Sequence, residues 1–320
     1  MTNMDRTKSR GKRSSTAMRR PAAASLLFAV ALMAVACEDA AREAPDATTS
    51  TSGGTAAEAD GAVQTMSIVD VGSGTETPFA VPVGASEFDF TLDGSMVAYT
   101  DLDGNGNLQV FVMDADRSNA RQLTHAEGGV YPGPIWSPDG SMIAYVRDTS
   151  DNTQMFVVRV SDGESTMVTQ EPQGAVDPGG WAPDGGSIVF STLIFSPIHH
   201  YAAISVDIAT GKTRLIVADG STPTLSPDGA WIAFNSWLKE PVVRLILANS
   251  DGSGRRVIAR LNGDDGYEQW SPDSTQIAFL GSTDEDGFGT YVYDLATGDT
   301  RFVTAGTIES WMDDDHILVS

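Results

Sequence analysis

Short apolar segments separated by polar turns dominate the chain from residue 63 onwards. A typical segment is IAYV at 143–146, which follows a turn phrase, SPDG, and is rich in β-branched and aromatic residues. Short runs of this kind, bounded by Gly, Pro, Asp and Ser, are typical of β-strands and are too short for helices. We find no amphipathic helical period beyond residue 62. The pattern therefore predicts an all-β domain over residues 63–320.

The turn phrases recur at a regular interval. WSPDG at 136–140 returns as WAPDG, LSPDG and WSPDS, with an earlier variant, TLDG, and a degenerate last copy at 310–320. Successive aspartates of the intact phrases are 44 to 46 residues apart, and a second kind of hairpin, such as residues 202–217, lies between them. Each kind of hairpin occurs six times. Two hairpins per period make a four-stranded sheet, and a radial array of six such sheets is a six-bladed β-propeller.

The two ends of the repeat region predict how the ring closes. The region opens with a hairpin of the second kind at 66–81 and ends with a hairpin of the first kind at 310–320. We expect these halves to pair into one blade, which would close the ring and remove its open sheet edges. We also expect the tryptophans of the turn phrases to pack between neighbouring sheets. They are Trp136, Trp181, Trp270 and Trp311.

The aspartates of the turn phrases are interpreted as structural turn residues. In Ser-Pro-Asp-Gly, proline presets φ at the second turn position, aspartate suits the third, and glycine accepts the unusual backbone of the fourth. Identical copies around a ring do not converge on one substrate, so we expect no shared chemistry from them. These aspartates are Asp93, Asp139, Asp184, Asp228 and Asp273.

The full repeat resembles that of a known family. W-S-P-D-G-x-x-I-A-F, followed by alternating apolar positions, an aspartate and a run ending in Leu-Thr or Val-Thr, resembles the WD40-like repeat of the TolB type over residues 63–320. The resemblance implies a TolB-like six-bladed propeller. TolB itself carries an α/β domain ahead of its propeller, and prolyl-oligopeptidase relatives carry a hydrolase domain after theirs. We expect neither here, and predict a stand-alone propeller.

Residues 1–36 have the pattern of an export signal. Seven Lys or Arg residues precede an apolar run at 22–36, which is too short for a comfortable membrane span. Cys37 directly follows A-V-A, which resembles a bacterial lipobox and implies lipidation of Cys37; the same A-V-A also fits an ordinary signal-peptidase site. Residues 37–62 contain no large apolar side chain after Cys37, so we predict a disordered tether there.

The charge balance restricts the class of partner. The formal net charge is −23, and residues 37–320 hold 13 basic and 42 acidic side chains. Such a surface does not bind nucleic acid or an anionic membrane through its overall field, but it attracts cationic partners or divalent ions. An acidic surface suited to a saline environment is the alternative explanation. With a single cysteine the chain forms no internal disulfide.

The sequence contains no familiar catalytic pattern. It lacks G-x-S-x-G, H-E-x-x-H and a phosphate-binding glycine loop, so we predict no catalytic residue and no required cofactor. A metal site at 199–200 would need ligands from elsewhere, because adjacent histidines in one strand point apart. The alternative is that the two histidines are simply a pair in a loop. The chain has four histidines in all: His125, His199, His200 and His316.

One acidic loop resembles the first half of a calcium-binding loop. Oxygen-bearing residues alternate with glycines and other residues in DLDGNGN at 101–107, but the twelfth position is Val112 instead of glutamate. This loop either binds a structural calcium ion or is a solvated turn. The possible ligands are Asp101, Asp103, Asn105 and Asn107.

Two loops between the second and third strands of consecutive blades are unusually apolar. They are STLIFSPIHHY at 191–201 and NSWLKEPVV at 235–243, and they should be neighbours on one face of the ring. An exposed apolar patch marks a binding surface, although the same side chains could fold inward as blade packing. The predicted patch comprises Leu193, Ile194, Phe195, Ile198, Tyr201, Trp237 and Leu238.

These observations predict a non-enzymatic envelope lipoprotein whose propeller binds a protein or peptide partner. The alternative is a channel-mouth ligand-binding protein or a metal-dependent carbohydrate-active protein. We expect a monomer that is exported to the periplasm or the outer surface, meets the membrane only through its lipid anchor, and does not bind nucleic acid.

Overall fold

The computed structural model describes most of the predicted propeller. The described residues are 63–82, 86–91, 93, 95–114, 118–131, 133–172, 174–194, 200–236, 243–261, 268–283, 286–311 and 313–320. The predicted signal, Cys37 and the tether lie outside them. Within these ranges all regular structure is β-strand, and no helix there is long and apolar enough to cross a membrane.

The strands are short and evenly distributed. The first twelve are β1 (Val63–Asp70), β2 (Glu76–Pro82), β3 (Ser86–Phe90), β4 (Met96–Leu102), β5 (Leu108–Asp114), β6 (Arg121–Gln122), β7 (Ile135–Trp136), β8 (Met142–Asp148), β9 (Thr153–Arg159), β10 (Ser165–Met167), β11 (Ala175–Trp181) and β12 (Ser187–Ile194). The other twelve are β13 (His200–Asp207), β14 (Thr213–Val217), β15 (Ser221–Leu225), β16 (Trp231–Ser236), β17 (Val243–Asn249), β18 (Arg256–Leu261), β19 (Gln269–Trp270), β20 (Gln276–Thr283), β21 (Gly287–Asp294), β22 (Thr300–Thr304), β23 (Ile308–Trp311) and β24 (His316–Val319).

Every strand belongs to one of six antiparallel, four-stranded sheets, which are the blades of a propeller. Blades 1 to 5 are consecutive: β3–β6, β7–β10, β11–β14, β15–β18 and β19–β22. Blade 6 combines β23 and β24 from the C-terminal end with β1 and β2 from the N-terminal end. The predicted all-β, six-bladed fold is confirmed.

The ring closes between the two ends of the domain, as predicted. Strand β1 pairs with β24, with Ser67 opposite Val319 and Asp70 opposite His316. The hairpins at 66–81 and 310–320 thus supply the two halves of blade 6. Because β1 and β24 pair within one sheet, neither of the two half-blades is left with an unpaired edge at this junction.

Tryptophans hold neighbouring blades together. The indole Nε1 of Trp136 donates to the carbonyl of Asp89 in blade 1 at 2.9 Å, and that of Trp181 donates to the carbonyl of Ile135 in blade 2 at 3.2 Å. The same bond links blades 5 and 6 to the blades before them. The indole Nε1 of Trp270 donates to the carbonyl of Thr224, and that of Trp311 donates to the carbonyl of Gln269. Since these indoles are buried between blades, the packing predicted for them is confirmed, and each also satisfies its polar N–H.

The ring has two distinct faces. The first strand of each blade is innermost and turns into the second strand at the Asp-containing phrase, so these phrases share one face, which we call the turn face. The opposite face carries the links between blades and the loops between second and third strands. We call it the loop face, and each inner strand begins there.

Candidate functional site

The loop-face end of the central channel carries four acidic residues on or beside inner strands. Glu87 lies in β3, Asp177 in β11 and Glu309 in β23, while Glu268 directly precedes β19. They come from blades 1, 3, 6 and 5, so the closed ring brings together residues that are far apart in the sequence. We call Glu87, Asp177 and Glu309 the channel-mouth triad.

Irregular backbone in the inner strands places these side chains. The pairing register shifts between Ser86 and Asp89 in β3, and between Val176 and Pro178 in β11. Within these irregularities Glu87 has φ 59° and Asp177 has φ 43°, both in the left-handed region. A β-bulge re-aims a side chain. Left-handed non-glycine residues cost about 1–3 kcal/mol each and are found most often at functional sites.

Glu87 is the most unusual member of the triad. Its side chain is buried at 2% exposure, and neither carboxyl oxygen accepts a hydrogen bond from a described residue. Burial, followed by the charges of Asp177 and Glu309, raises its pKa to about 9. The carboxyl group is therefore protonated at neutral pH. A buried polar group without a partner is costly, so its presence needs a functional explanation.

Of the three triad members, only Asp177 is exposed to solvent. Blade 1, which holds Glu87, has blade 6 with Glu309 on one side, while Asp177 lies two blades away on the other side. The charges of both residues contribute to the raised pKa of Glu87. Glu309 is buried, which raises its pKa to about 7 against a lowering hydrogen bond from Ser320. Asp177 is exposed, although desolvation by the surrounding protein raises its pKa.

A polar cluster continues the site towards blade 5. Asn235 donates from Nδ2 to the hydroxyl of Thr222 at 3.0 Å, and the hydroxyl of Ser191 accepts from the Thr222 amide at 3.1 Å. Burial raises the pKa of Glu268 to about 7, although hydrogen bonds from Asn235 and Thr222 lower it. Buried Oε1 of Glu268 and Oδ1 of Asn235 accept no hydrogen bond from the described residues.

Asp89, two residues after Glu87, has a structural role instead. It is fully buried, which raises its pKa to about 8, while its Oδ2 accepts the amide of Trp136 at 2.6 Å. Asp89 therefore links blade 1 to blade 2 and is not part of the triad.

The triad was not predicted from the sequence. The one relevant signal is the alternation of acidic and aromatic residues in SEFDF at 86–90. It indicates a polar face on a strand at the centre of the ring. No spacing in the sequence indicated that Asp177 and Glu309 approach Glu87.

The predicted apolar patch is only partly within the described residues. Leu193 and Ile194 end β12, Tyr201 lies opposite Leu193 in β13, and all three are half-buried at the loop face. The other predicted members lie outside the described residues: Phe195, Ile198, Trp237 and Leu238. Whether the seven residues form one surface stays a prediction.

Three other large apolar side chains are exposed on the loop face. Leu102 is 59% exposed at the end of β4, Phe288 is 52% exposed near the start of β21, and Tyr131 is 40% exposed in the link from β6 to β7. They belong to blade 1, to blade 5 and to the link from blade 1 to blade 2. They were not predicted from the sequence, because each occurs singly in a polar loop.

The predicted calcium loop is closed by its own hydrogen bonds. Oδ1 of Asp103 accepts the amides of Asn105 at 2.8 Å and Asn107 at 3.0 Å, while Oδ1 of Asp101 accepts the amide of Leu102. A calcium ion would compete with these amides for the Asp103 carboxylate. Among the described residues, no three His, Cys, Asp or Glu side chains are placed to hold a metal ion. Structural calcium stays a prediction.

The described histidines lie in separate places. His125 contacts Gln122 after β6, His200 begins β13, and His316 contacts Asp313 on the turn face at 2.8 Å. They do not converge on one point. His199 lies outside the described residues.

The repeated aspartates hold the turns of the turn face. Oδ1 of Asp139 accepts the Ser141 amide at 3.0 Å and the Ser137 hydroxyl at 2.7 Å. The amide two residues further on is bound in the same way by every predicted turn aspartate: Asp93, Asp139, Asp184, Asp228 and Asp273. These carboxylates point away from the channel mouth and are occupied by their own turns.

Solved structures with the same fold include two TolB proteins and a lyase. A candidate TolB protein of Agrobacterium tumefaciens is 16% identical, with a TM-score of 0.65 over 81% of this chain and 98% of that one. TolB of Acinetobacter baumannii is 13% identical, with a TM-score of 0.59 over 80% of this chain and 63% of that one. Oligogalacturonate lyase of Vibrio parahaemolyticus is 21% identical, with a TM-score of 0.54 over 76% of this chain and 73% of that one.

At these identities the solved structures show similarity of fold alone. None of the curated proteins compared matches the chain. The family comparison is more specific, because the TolB β-propeller domain matches residues 65–265, which is more than half of the chain. The blades, their turn phrases and this match agree with one another, and the chain belongs to the TolB β-propeller family.

Proposed function

We propose that this protein is a non-enzymatic binding protein of the cell envelope, and that its loop face receives a protein or peptide partner. The observation that carries the proposal is the channel-mouth triad, in which a buried, unpartnered Glu87 lies within the field of a solvent-accessible Asp177. Such a group is satisfied when a partner supplies the missing hydrogen-bond donors.

The surroundings of the triad suit a macromolecular partner. Leu102, Tyr131 and Phe288 are exposed on the same face, and aromatic side chains are enriched in protein interfaces. The chain after residue 36 carries 42 acidic and 13 basic side chains. Charge complementarity therefore favours a partner with a basic segment, whose association electrostatic steering would speed.

The envelope location rests on the sequence. The basic and apolar segments of residues 1–36 support export, and Cys37 supports attachment of the mature protein to a membrane through lipid. The proposal that the protein is not an enzyme rests on the missing catalytic patterns. Propellers serve many functions, so the family alone does not decide this question.

The test uses the soluble mature chain with Cys37→Ser. Envelope proteins are cross-linked to it, identified and purified, and their binding is measured directly against the original chain and a Leu102→Asp/Phe288→Asp variant. A Leu215→Asp/Val257→Asp variant is the matched control, because those side chains are equally exposed, at 55% and 50%, on outer strands. We expect the loop-face variant to weaken binding at least tenfold and the control to bind normally.

Salt provides the second measurement. Binding of a basic segment should weaken as sodium chloride rises from 50 to 500 mM, because the Debye length falls from roughly 14 Å to roughly 4 Å. A partner that binds equally well to both variants would refute docking on the loop face. Binding of an oligosaccharide in place of a protein would support the carbohydrate-active alternative.

A further inference from the structure

The outer rim of the propeller carries a concentration of positive charge. The outermost strands of blades 3 and 4 are β14 and β18. Residues 212–217 and 253–261, which contain these strands, hold five of the 13 basic side chains of residues 37–320 and none of the 42 acidic ones. We call these two segments the basic rim. Its basic residues are all exposed, and they are Lys212, Arg214, Arg255, Arg256 and Arg260.

Two large apolar side chains are exposed within the basic rim. Leu215 in β14 is 55% exposed, and Val257 in β18 is 50% exposed. Leu215 lies opposite Ile204 in β13, and Val257 lies opposite Ile246 in β17, which are equivalent positions of successive blades. Each of the two strands therefore presents an exposed aliphatic side chain among basic ones.

The two halves of the basic rim form one surface. Nη1 of Arg255 donates to Oδ1 of Asp219, in the link from blade 3 to blade 4, at 2.8 Å. A Cβ at Gly252, in the turn before β18, would clash with the carbonyl oxygen of Ile216 in β14. The hairpin of blade 4 therefore packs against the outer strand of blade 3. Each blade of a six-bladed ring is rotated by about a sixth of a turn from its neighbour, so a flat partner meets the rims of two adjacent blades.

Protection of sheet edges alone does not explain the basic rim. Charged residues on an outer strand prevent its pairing with another chain, but exposed aliphatic residues do not serve that purpose. The basic residues in the outer strands of blades 1, 2 and 5 are Arg121 and Arg301. Arg121 donates to the carbonyl of Val160 in the next blade, and Arg301 donates to the carbonyl of Val71 in the next blade. These two arginines thus join blades and are not accompanied by a basic cluster.

The chemistry of the basic rim matches an anionic lipid surface. Lipid phosphate groups accept hydrogen bonds from arginine and lysine, while aliphatic side chains enter the boundary between headgroups and acyl chains. A soluble acidic protein is a poorer match, because the net charge of residues 37–320, 13 − 42 = −29, repels it during diffusion. A membrane to which Cys37 is attached does not depend on diffusion, because the tether keeps it at a high effective concentration.

We infer that the basic rim rests on an anionic phospholipid membrane. The inference rests on the envelope location that forms part of the proposed function, and it adds a second membrane contact to the lipid anchor expected at Cys37. Because the rim runs around the channel axis, this axis lies parallel to the bilayer when the rim is on the membrane. The loop face then opens sideways and stays accessible to a partner.

The tether is long enough for this orientation. Val63 begins β1 in blade 6, which lies opposite blade 3 in the ring. Strands about 4.8 Å apart make a ring of four-stranded blades roughly 45 Å across, whereas residues 38–62 span about 80 Å when extended. Deletion of residues 46–62 leaves a tether of about 25 Å, which should keep the basic rim away from the membrane.

The experiment uses the single cysteine of the chain. Residues 37–320 are coupled through Cys37 to a maleimide phospholipid, in vesicles of phosphatidylcholine with or without one-third phosphatidylglycerol. A diazirine phospholipid in the same vesicles labels side chains that contact the bilayer, and mass spectrometry maps the labels. In anionic vesicles we expect the basic rim to be labelled at least fivefold more than the outer strands of blades 1, 2 and 5. Neutral vesicles or 500 mM sodium chloride should reduce this labelling at least fivefold.

Matched variants assign the contact. Lys212→Glu/Arg214→Glu should reduce the labelling of β18 at least fivefold, and Leu215→Asp/Val257→Asp should do the same. Met167→Asp is the control, because Met167 is 41% exposed at the equivalent position of β10 in blade 2, where neither the strand nor the turn before it holds a basic residue. The control should be labelled like the original chain. Thermal melting of every variant verifies the fold.

Four results would overturn this inference: equal labelling around the ring, labelling that both rim variants leave unchanged, equal labelling in neutral and anionic vesicles, or rim labelling that survives the tether deletion. Binding of dextran sulfate to the basic rim without lipid labelling would identify a site for soluble polyanions and would also overturn it. The partner assay contains no membrane, and the vesicle experiment contains no partner. Rim labelling without a loop-face partner would therefore support this inference and refute the proposed function, and the reverse result would do the opposite.

Discussion

Replacement of Glu87 by glutamine should change how the stability of the protein depends on pH. Glu87 is 2% exposed, and its pKa of about 9 in the folded chain stands well above the ordinary value of 4.5. The folded state therefore keeps a proton that the unfolded state releases. Because the folded state binds more protons, stability from this group is fully present below pH 4.5 and is lost as pH rises towards about 9.

The magnitude follows from the size of this interval. Each pH unit between the two pKa values costs about 1.4 kcal/mol for one group. Between pH 5 and pH 8 the original chain should therefore lose about 4 kcal/mol of unfolding free energy through Glu87. Glutamine does not titrate and has a similar shape. The variant should lose none of this unfolding free energy, so its stability relative to the original chain should increase with pH.

Urea denaturation of both proteins at pH 5, 6, 7 and 8 measures the effect. The pKa values of Glu268 and Glu309 are also raised, but both proteins contain these groups, so their contributions largely cancel in the difference. Asp299→Asn, which removes an exposed carboxylate, is the control. A difference between Glu87→Gln and the original chain that stays constant within 1 kcal/mol from pH 5 to pH 8 would refute the buried, protonated Glu87.

Three further substitutions test the packing that positions the site. Gly179→Ala should destabilise the protein by about 3 kcal/mol in urea denaturation, because its Cβ would lie 1.9 Å from the carbonyl oxygen of Pro223 in the next blade; an unchanged midpoint would contradict this close approach. Trp181→Phe removes the indole bond to Ile135 and part of the packing between blades 2 and 3, at a cost of about 2 kcal/mol by thermal melting. Asp139→Ala removes the bonds that hold one exposed turn and should lower the unfolding free energy by about 1 kcal/mol in urea denaturation.

The fold was predictable because each blade repeats the same local chemistry. A turn that needs proline, aspartate and glycine at fixed positions leaves those residues at a constant spacing, so the period of the blades is readable from the chain. Gly140 has φ 71°, as its turn position requires, while Ser274 has φ 64° where WSPDS lacks the glycine. Closure was predictable for the same reason, since the two half-blades are recognisable at the ends.

The candidate site was not predictable because it depends on backbone irregularities in the inner strands that the side-chain pattern does not show. Glu87 lies six residues before its turn aspartate, whereas Asp177 lies seven residues before Asp184, so alignment of the blades does not place them at one position. Their direction is determined by shifted register and left-handed φ. Neither feature follows from side-chain pattern, because any one-residue irregularity moves a side chain to the other face of a strand.

Ring closure and assembly of the site are the same structural event. Glu309 lies in β23, which pairs with β24, and β24 pairs with β1 from the opposite end of the domain. The triad therefore exists only when the two ends have joined, because Glu87 and Asp177 alone lack the charge from blade 6. A loop-face partner that contacts Glu309 would bind the closed ring more tightly than an opened one. Binding of that partner should thus stabilise blade 6 in preference to blades 2, 4 and 5, which contribute no member of the triad.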